Sequence, residues 1–373
     1  MKKKILICFG TRPEAIKMCS LVHELKYDDT FEVEVCVTAQ HREMLDQVLT
    51  FFEIIPDYDL DIMKKNQSLN KLSGRIFKKM DVVLNSSKPD LVLVHGDTTT
   101  SSICAWSSFN NNIKVGHVEA GLRTYDKTSP FPEELNRQIT GRITDYHFAP
   151  TVISKNNLLS EGINDNNIII TGNTVIDSLF WTVNKLGNNF TNDKINALKT
   201  KIDLSKKIIL VTAHRRENFG EGFINICNSI LSIAKNKNVE IVFPVHLNPK
   251  VQKPVKDLLS NSKNIHLVEP LDYPSFVWVM KNSYLIISDS GGVQEEAPSL
   301  GKPVLVMRET TERPEAVTAG TVKLVGTNFD KITENTYELL TDNNVYDKMS
   351  KSHNPYGNGN ANKSIIQFLK KRL

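Results

Sequence analysis

Short runs of apolar residues alternate with longer amphipathic stretches along almost the whole chain. The first half has six such runs, at residues 5–10, 33–39, 91–96, 114–119, 146–150 and 167–172. The second half has six more, at residues 208–213, 240–246, 265–270, 284–290, 303–307 and 322–326. Continuous apolar strands separated by helices are typical of parallel sheets covered on both faces. Six strands in each half predict two doubly wound α/β domains rather than one very wide sheet.

The helical stretches have a clear apolar face. Residues 68–86, for example, are predicted to form a helix that packs on the core through one stripe, formed by Leu69, Leu72, Ile76, Met80 and Val83. The expected domains are residues 1–171 and 172–357, divided near the sequence GNTVID. A turn-rich segment, 354–363, precedes a last helix, and we expect the C-terminal segment 358–373 to join the first domain.

Composition narrows the functional class. The chain has 373 residues, a net charge of +4, 40% hydrophobic and 24% charged residues, which is ordinary for a globular protein. Its basic clusters are terminal, so no nucleic-acid partner is expected. The apolar stretch Ile5 to Phe9 is too short for an export signal, and no run is long enough to span a membrane. Five scattered cysteines predict buried free thiols, no metal site and a cytoplasmic protein.

The second half contains a candidate phosphate site. Parallel sheets bind ligands at the carboxyl ends of their strands, where residues 288–303 run from a strand through Ser290, Gly291 and Gly292 into a helix. Backbone N–H groups at such a turn approach phosphate closely, and Glu296 is suitably placed for a ribose diol. A paired glycine at a turn is also common without any ligand. The candidate cations that would strengthen the site are His214, Arg216 and Arg313.

Carboxylates follow the strands of the first half. Asp97, Glu119 and Glu133 each have a local explanation: a helix cap, a pair with Arg123 and a favourable helix dipole, respectively. Together they would repel one another, which favours a site that transfers protons. Arg12 and Lys17 lie in TRPEAIK, which is echoed by ERPEAV at 312–317. The echo is either a reused helix start or a second arginine directed at the same ligand.

The full set of motifs identifies a resemblance. FGTRPEAIKM, HGDTTT, HVEAGLR, PEELNRQ, GNTVID, HRREN, PVHLNP, SDSGGVQEEAPSLGKPVLVMR and TERPEAVTAGT occur in the order found in bacterial non-hydrolysing UDP-N-acetylglucosamine 2-epimerases. The chain resembles this family from residue 9 to about 357. The resemblance implies a GT-B architecture of two Rossmann-like domains around a cleft, a homodimer, and interconversion of UDP-N-acetylglucosamine (UDP-GlcNAc) and UDP-N-acetylmannosamine (UDP-ManNAc) for surface polysaccharides.

The resemblance also implies roles for individual residues. The implied catalytic residues are Asp97, Glu119, Glu133 and His214. The implied substrate and UDP contacts are Arg12, Lys17, Leu271, Phe276, Ser290, Gly291, Gly292, Glu296 and Arg313. Some members bind a second substrate molecule as activator, and the matching positions are Gln40, Glu43, Arg75, Arg215, Arg216 and His246. Glu43 stands where some members have glutamine, which leaves substrate activation open.

The reaction of the family proceeds through elimination of UDP and 2-acetamidoglucal, and it implies no cofactor. The absence of a GxGxxG sequence after a strand likewise argues against a bound nicotinamide. Three alternatives remain at this point: a GT-B glycosyltransferase, a hydrolysing epimerase and a non-catalytic nucleotide-sugar sensor. The first would explain the second-half motifs but not three carboxylates in the first half.

Overall fold

A computed structural model describes residues 2–39, 42–64, 67–188 and 190–373. The chain divides into two compact units. Unit 1 contains the residues up to Phe180 together with Tyr356–Leu373, and unit 2 contains Trp181–Pro355. The division lies inside a helix, Thr174–Gly187, slightly beyond the boundary expected from the sequence.

Unit 1 is built on one parallel sheet. Its strands are β1 (Lys3–Phe9), β2 (Phe31–Val37), β3 (Tyr58–Asp59), β4 (Leu91–His95), β5 (Lys114–Val118), β6 (Tyr146–Ala149) and β7 (Ile168–Ile170). In the described residues the sheet has seven strands in the order β3-β2-β1-β4-β5-β6-β7. The helices are α1 (Arg12–Tyr27), α2 (Arg42–Phe51), α3 (Leu69–Ser87), α4 (Thr99–Asn110), α5 (Glu133–Ile143), α6 (Val152–Ser160) and α7 (Thr174–Gly187).

Unit 2 has a sheet of the same type. Its strands are β8 (Lys207–Thr212), β9 (Val239–Pro244), β10 (Ile265–Val268), β11 (Leu285–Ser288), β12 (Val304–Val306) and β13 (Val322–Leu324), paired in the order β10-β9-β8-β11-β12-β13. Its helices are α8 (Asp193–Lys201), α9 (Glu221–Ile233), α10 (Pro249–Leu259), α11 (Tyr273–Asn282), α12 (Gly291–Ser299), α13 (Pro314–Thr318), α14 (Phe329–Thr341) and α15 (Asn343–Ser350). The last helix, α16 (Ala361–Arg372), belongs to unit 1.

Two details of the sequence prediction were wrong. In the described residues the first sheet has seven strands rather than six. The strand missing from the sequence prediction is β3, which is only two residues long and pairs with Cys36 and Val37. Helix α3 forms as predicted and is capped by Ser68, but Leu69 at its first residue is 39% exposed and does not pack in the core. The other four members of its stripe are buried. The expectation of buried free thiols is confirmed for all five cysteines.

A buried polar cluster attaches α16 to the rest of unit 1. The Asp177 carboxylate accepts hydrogen bonds from the backbone N–H groups of Ala361 (3.2 Å) and Asn362 (3.1 Å), at the start of α16. The Asn362 side chain donates to Ser20 Oγ (3.1 Å) and Glu24 Oε1 (3.0 Å) on α1. Asp177 therefore acts as a helix cap supplied from another helix.

No helix in the described part of the chain is long and apolar enough to cross a membrane.

Asp177→Ala should lower the stability of unit 1, because it leaves the first N–H groups of α16 without their acceptor. The expected loss is about 0.5–2 kcal/mol, the range for removal of a helix cap. Urea unfolding followed by circular dichroism measures it, with exposed Asp29→Ala as the matched control. Equal unfolding midpoints for the two variants would contradict the capping role.

Candidate active site

The loop after β1 is fixed by one buried carboxylate. Glu14 Oε2 accepts hydrogen bonds from the backbone N–H groups of Gly10 (3.0 Å) and Thr11 (2.8 Å), and Glu14 Oε1 accepts from the Thr98 hydroxyl (2.6 Å). Burial raises the pKa of Glu14 to about 7. A β-carbon at Gly10 would lie 1.9 Å from Thr38 Oγ1, so only glycine fits there. Glu14 therefore joins the loops that follow β1 and β4.

Glu119 follows β5 and lies in the left-handed region at φ 64°. It is only 8% exposed. Its Oε1 atom accepts hydrogen bonds from Lys17 Nζ and from Asn173 Nδ2 (2.8 Å), and its Oε2 atom lies 3.3 Å from His95 Nε2. Lys17 thus contacts a carboxylate of the candidate site. Burial lowers the pKa of His95 to about 4, so this imidazole is neutral.

The alternative pairing of Glu119 with Arg123 is wrong. Arg123 instead forms a two-pronged ion pair with Glu161, with N···O distances of 2.6 and 2.9 Å. The Arg123 guanidinium therefore binds the residue that ends α6. Glu119 is instead bound by Lys17 from α1 and by Asn173 from the loop before α7.

Asp97 does not cap the helix that follows it. The N-cap of α4 is Thr98, whose hydroxyl accepts from the Ser101 N–H (3.1 Å). Asp97 Oδ2 instead accepts from Arg137 Nη1 (3.0 Å), and its side chain is 31% exposed. Burial raises the pKa of Asp97 to about 6, an effect that Arg137 opposes and the nearby charge of Glu119 reinforces. Arg137 was quoted in the sequence motif but not selected as a site residue.

Glu133 and Arg12 lie at the first residues of α5 and α1, and both are half-buried. The charge of Glu133 contributes to the raised pKa of Asp97, which places the two acids within electrostatic range. The helix-dipole explanation for Glu133 also fits its position. Within the described ranges, no three His, Cys, Asp or Glu side chains are grouped so that they could hold a metal ion.

In unit 2 the glycine turn adjoins an arginine. Ser290 is the N-cap of α12, and Gly291 and Gly292 are its first two residues. A β-carbon at Gly291 would lie 2.7 Å from Arg313 Nη1, so glycine is needed for the guanidinium to approach the helix N-terminus. Arg313 Nε donates to Glu295 Oε1 (2.7 Å), which fixes the orientation of the guanidinium. Amide groups and a fixed cation at one helix N-terminus form an anion-binding arrangement.

A buried aspartate that the sequence analysis missed orients the loop after β8. Asp289 Oδ2 accepts from the backbone N–H groups of His214 and Arg215 (both 2.8 Å) and from Asn218 Nδ2 (3.2 Å). Asp289 Oδ1 lies 3.2 Å from His214 Nδ1, and burial lowers the pKa of His214. The ring of His214 stacks on that of His246 at 5.7 Å. The available signal was an acidic residue directly after a strand, between two serines.

The residues expected near ribose and base lie on neighbouring elements. Glu296 is buried in α12, and its Oε1 atom accepts from the hydroxyl of Tyr273 (3.1 Å), the first residue of α11. Leu271 precedes α11 and Phe276 lies within it, and both are half-buried. The Tyr273–Glu296 contact therefore holds α11 against α12.

The positions that match an activator site fall in both units. Gln40 lies outside the described residues. Glu43 is exposed in the first turn of α2, and Arg75 Nη2 donates to the Ile62 carbonyl (3.3 Å). In unit 2, Arg215 Nη2 lies 3.6 Å from Glu312 Oε1, Arg216 opens the short 3₁₀ turn Arg216–Asn218, and His246 is exposed. Within unit 2, the ring of His246 stacks on that of His214, which directly precedes Arg215 and Arg216 in the chain.

Two units built on parallel sheets, with charged side chains after their strands, agree with the GT-B-like class that the sequence predicts. A family model described as UDP-N-acetylglucosamine 2-epimerase matches residues 23–370. The UDP-N-acetylglucosamine 2-epimerases of Salmonella typhimurium and Yersinia pestis are 56% and 57% identical, over 98% of this chain and of each relative. The chain belongs to the UDP-N-acetylglucosamine 2-epimerase family, and it is therefore an isomerase.

A solved structure agrees with this assignment. The crystal structure of UDP-GlcNAc 2-epimerase from Neisseria meningitidis bound to UDP-GlcNAc is 54% identical, with a TM-score of 0.89. The match covers 99% of this chain and 100% of that chain.

Asp289→Asn should destabilise unit 2, because a neutral amide oxygen accepts the three N–H donors of Oδ2 more weakly than a charged carboxylate oxygen does. A hydrogen bond to a charged group contributes about 1.5–3 kcal/mol, against about 0.5–1.5 kcal/mol for a neutral pair. The measurement is the urea unfolding midpoint, compared with Asp257→Asn on the exposed face of α10. A midpoint for Asp289→Asn equal to that of the control would show that the carboxylate does not hold the loop after β8.

Proposed function

We propose that this chain interconverts UDP-GlcNAc and UDP-ManNAc by eliminating UDP and adding it back. The observation that carries the proposal is the grouping of two carboxylates, Asp97 and Glu119, each with its own cation, at the carboxyl edge of the unit 1 sheet. A group that transfers protons efficiently needs a pKa near the working pH. The pKa of Asp97 is about 6.

The chemistry explains why acids are needed. The C2 hydrogen of the sugar is not acidic, because no carbonyl adjoins C2. In the elimination, a carboxylate takes the C2 proton, the C–H electron pair forms a C1=C2 double bond, and the C1–O bond to UDP breaks. The products are UDP and 2-acetamidoglucal. Addition reverses these steps with a proton delivered to the other face of C2, so no oxidant or reductant is consumed and two proton-transferring groups are required.

We assign stabilisation of the departing UDP to groups of unit 2. The leaving diphosphate gains negative charge as the C1–O bond breaks, and preorganised donors lower the barrier to this step. We assign that role to the amides at Ser290 and Gly291, to Arg313 and to His214. Arg313 is held by Glu295, so its guanidinium needs little reorganisation during the reaction. Glu296 suits the ribose hydroxyls, and Leu271 and Phe276 suit the uracil ring.

Within unit 1, Lys17 favours the ionised form of Glu119, and Arg137 does the same for Asp97. Glu133 and Arg12 complete the proposed site at the ends of α5 and α1. We further propose that the enzyme works in the cytoplasm, in keeping with five free buried thiols. In line with the family, we expect a homodimer that supplies N-acetylmannosamine units for surface polysaccharide.

Proton NMR in deuterium oxide tests the reaction directly. Purified enzyme with UDP-GlcNAc and no acceptor should give a mixture of the two epimers, with deuterium at C2 of the sugar. Label enters because the C2 proton passes to a carboxyl group that exchanges with solvent. Interconversion without label would rule out the elimination. Free N-acetylmannosamine would indicate a hydrolysing epimerase, and no turnover until an acceptor is added would indicate a glycosyltransferase.

Asp97→Asn should lower kcat by about 10²–10⁴-fold, the usual contribution of a positioned acid or base. In the unchanged enzyme, the proton-accepting form of Asp97 is lost as the pH falls through about 6, so kcat should decline below that pH. Initial rates from pH 5 to pH 9 measure both effects. Asp81→Asn, on the exposed face of α3, is the matched control and should keep the rate and profile of the unchanged enzyme.

A further inference from the structure

The chain passes between the two units twice. The first passage lies inside α7, between Phe180 and Trp181, and the second lies between Pro355 and Tyr356. Within unit 1, the residues just before α7 contact the residues that re-enter after the second passage. The backbone N–H of Asn173 donates to the carbonyl of Tyr356 at 2.8 Å. The loop that leads into α7 is therefore hydrogen-bonded to the chain at the point where it re-enters unit 1.

The backbones are close together at this point. A β-carbon at Gly172 would lie 3.0 Å from the Tyr356 carbonyl oxygen and 3.3 Å from Gly357 Cα. Gly172 has φ 83° and Gly357 has φ 110°, both in the left-handed region that favours glycine. Two glycines thus permit the close contact between the strand–helix loop and the returning chain.

The side chain of Asn173 contacts Glu119. Asn173 is only 3% exposed, and its Nδ2 atom donates to Glu119 Oε1 at 2.8 Å. Its Oδ1 atom accepts from the backbone N–H of Val175 at 3.1 Å, which fixes the orientation of the amide group. One residue therefore uses its backbone to hold the returning chain and its side chain to hold a carboxylate of the candidate site.

We propose that Asn173 is a positioning residue for the epimerisation, which orients Glu119 and couples that carboxylate to the two passages between the units. The proposal rests on the proposed function, because it assigns Glu119 a part in the reaction. A displacement of either passage would be transmitted to Glu119 through the Tyr356–Asn173–Glu119 chain of hydrogen bonds.

The groups that face Glu119 determine what loss of Asn173 would do. Lys17 approaches from α1, His95 from β4 and Asp97 from the loop after β4. His95 is neutral, and the charges near Glu119 include the cation of Lys17 and the carboxyl group of Asp97. Asn173 donates to the same oxygen as Lys17 and favours the ionised carboxylate. A carboxylate at position 173 would instead add a negative charge beside Glu119 and Asp97, which raises the pKa of Asp97 above about 6.

Asn173→Asp tests the side chain alone. Aspartate has the shape of asparagine, it keeps the backbone bond to Tyr356, and it replaces the donor to Glu119 by a second acid. The acidic limb of the kcat profile should move up by about one pH unit, so kcat in that limb falls about tenfold, while KM stays within about twofold. Asn264→Asp is the matched control, because in the described part of the chain the Asn264 amide donates to backbone carbonyls of unit 2, and this variant should keep the profile.

Gly172→Ala tests the coupling to the returning chain. Alanine there must push Tyr356 and Gly357 away, and the same limb of the profile should shift with a lower kcat. Gly162→Ala is the matched control, since Gly162 has nearly the same φ of 82° but open space around its β-carbon. A Gly172→Ala variant that behaves as Gly162→Ala would overturn the coupling.

The outcomes separate the two proposals. If the unchanged enzyme does not epimerise UDP-GlcNAc, the proposed function fails. If it does, and Asn173→Asp keeps the unchanged pH profile, the positioning role is wrong. Circular dichroism establishes that each variant is folded. Should Asn173→Asp not fold, Asn173→Ala removes the same donor and keeps the backbone bond, and a kcat equal to that of the unchanged enzyme would overturn the positioning role.

Discussion

The buried ion pair between Lys17 and Glu119 is the interaction on which the unit 1 site depends. The two side chains are only 14% and 8% exposed. An ionised group in such surroundings is stable only with a well-placed opposite charge or several hydrogen-bond donors. Lys17 comes from the helix after β1 and Glu119 from the loop after β5, with β4 between these strands in the sheet. The pair therefore requires all three central strands to end at the correct height.

In unit 2, a buried carboxylate is stabilised by backbone N–H groups rather than by a lysine. Asp289 is completely buried, and its carboxylate accepts two backbone N–H groups and a side-chain amide. These bonds stabilise the buried carboxylate, and the His214 side chain beside it is 40% exposed. Unit 1 thus presents acids and unit 2 presents donors, from the same kind of parallel sheet.

The sequence predicted the fold well because long apolar runs and helical stripes are local patterns. It missed β3, which is too short to form a run, and misjudged Leu69, which lies at a helix end where the stripe no longer faces the core. The acids were found because they follow strands directly. Their partners were not found, because Asn173 lies 54 residues from Glu119 and Asp289 lies 75 residues from His214. Such contacts depend on the order of strands in the sheet, which periodicity does not report.

The lengths of the strands have a consequence for solubility. The strands at the sheet edges, β3, β7, β10 and β13, have two, three, four and three residues, whereas central β1 has seven. An edge strand offers unpaired peptide groups to any neighbouring molecule, and very short edges offer few. At the end of β3, Arg42 forms ion pairs with Asp59 and Asp61 at N···O distances of 2.6 and 3.0 Å, which places charged groups at that edge. Tapered borders of this kind resist intermolecular β-pairing between folded molecules.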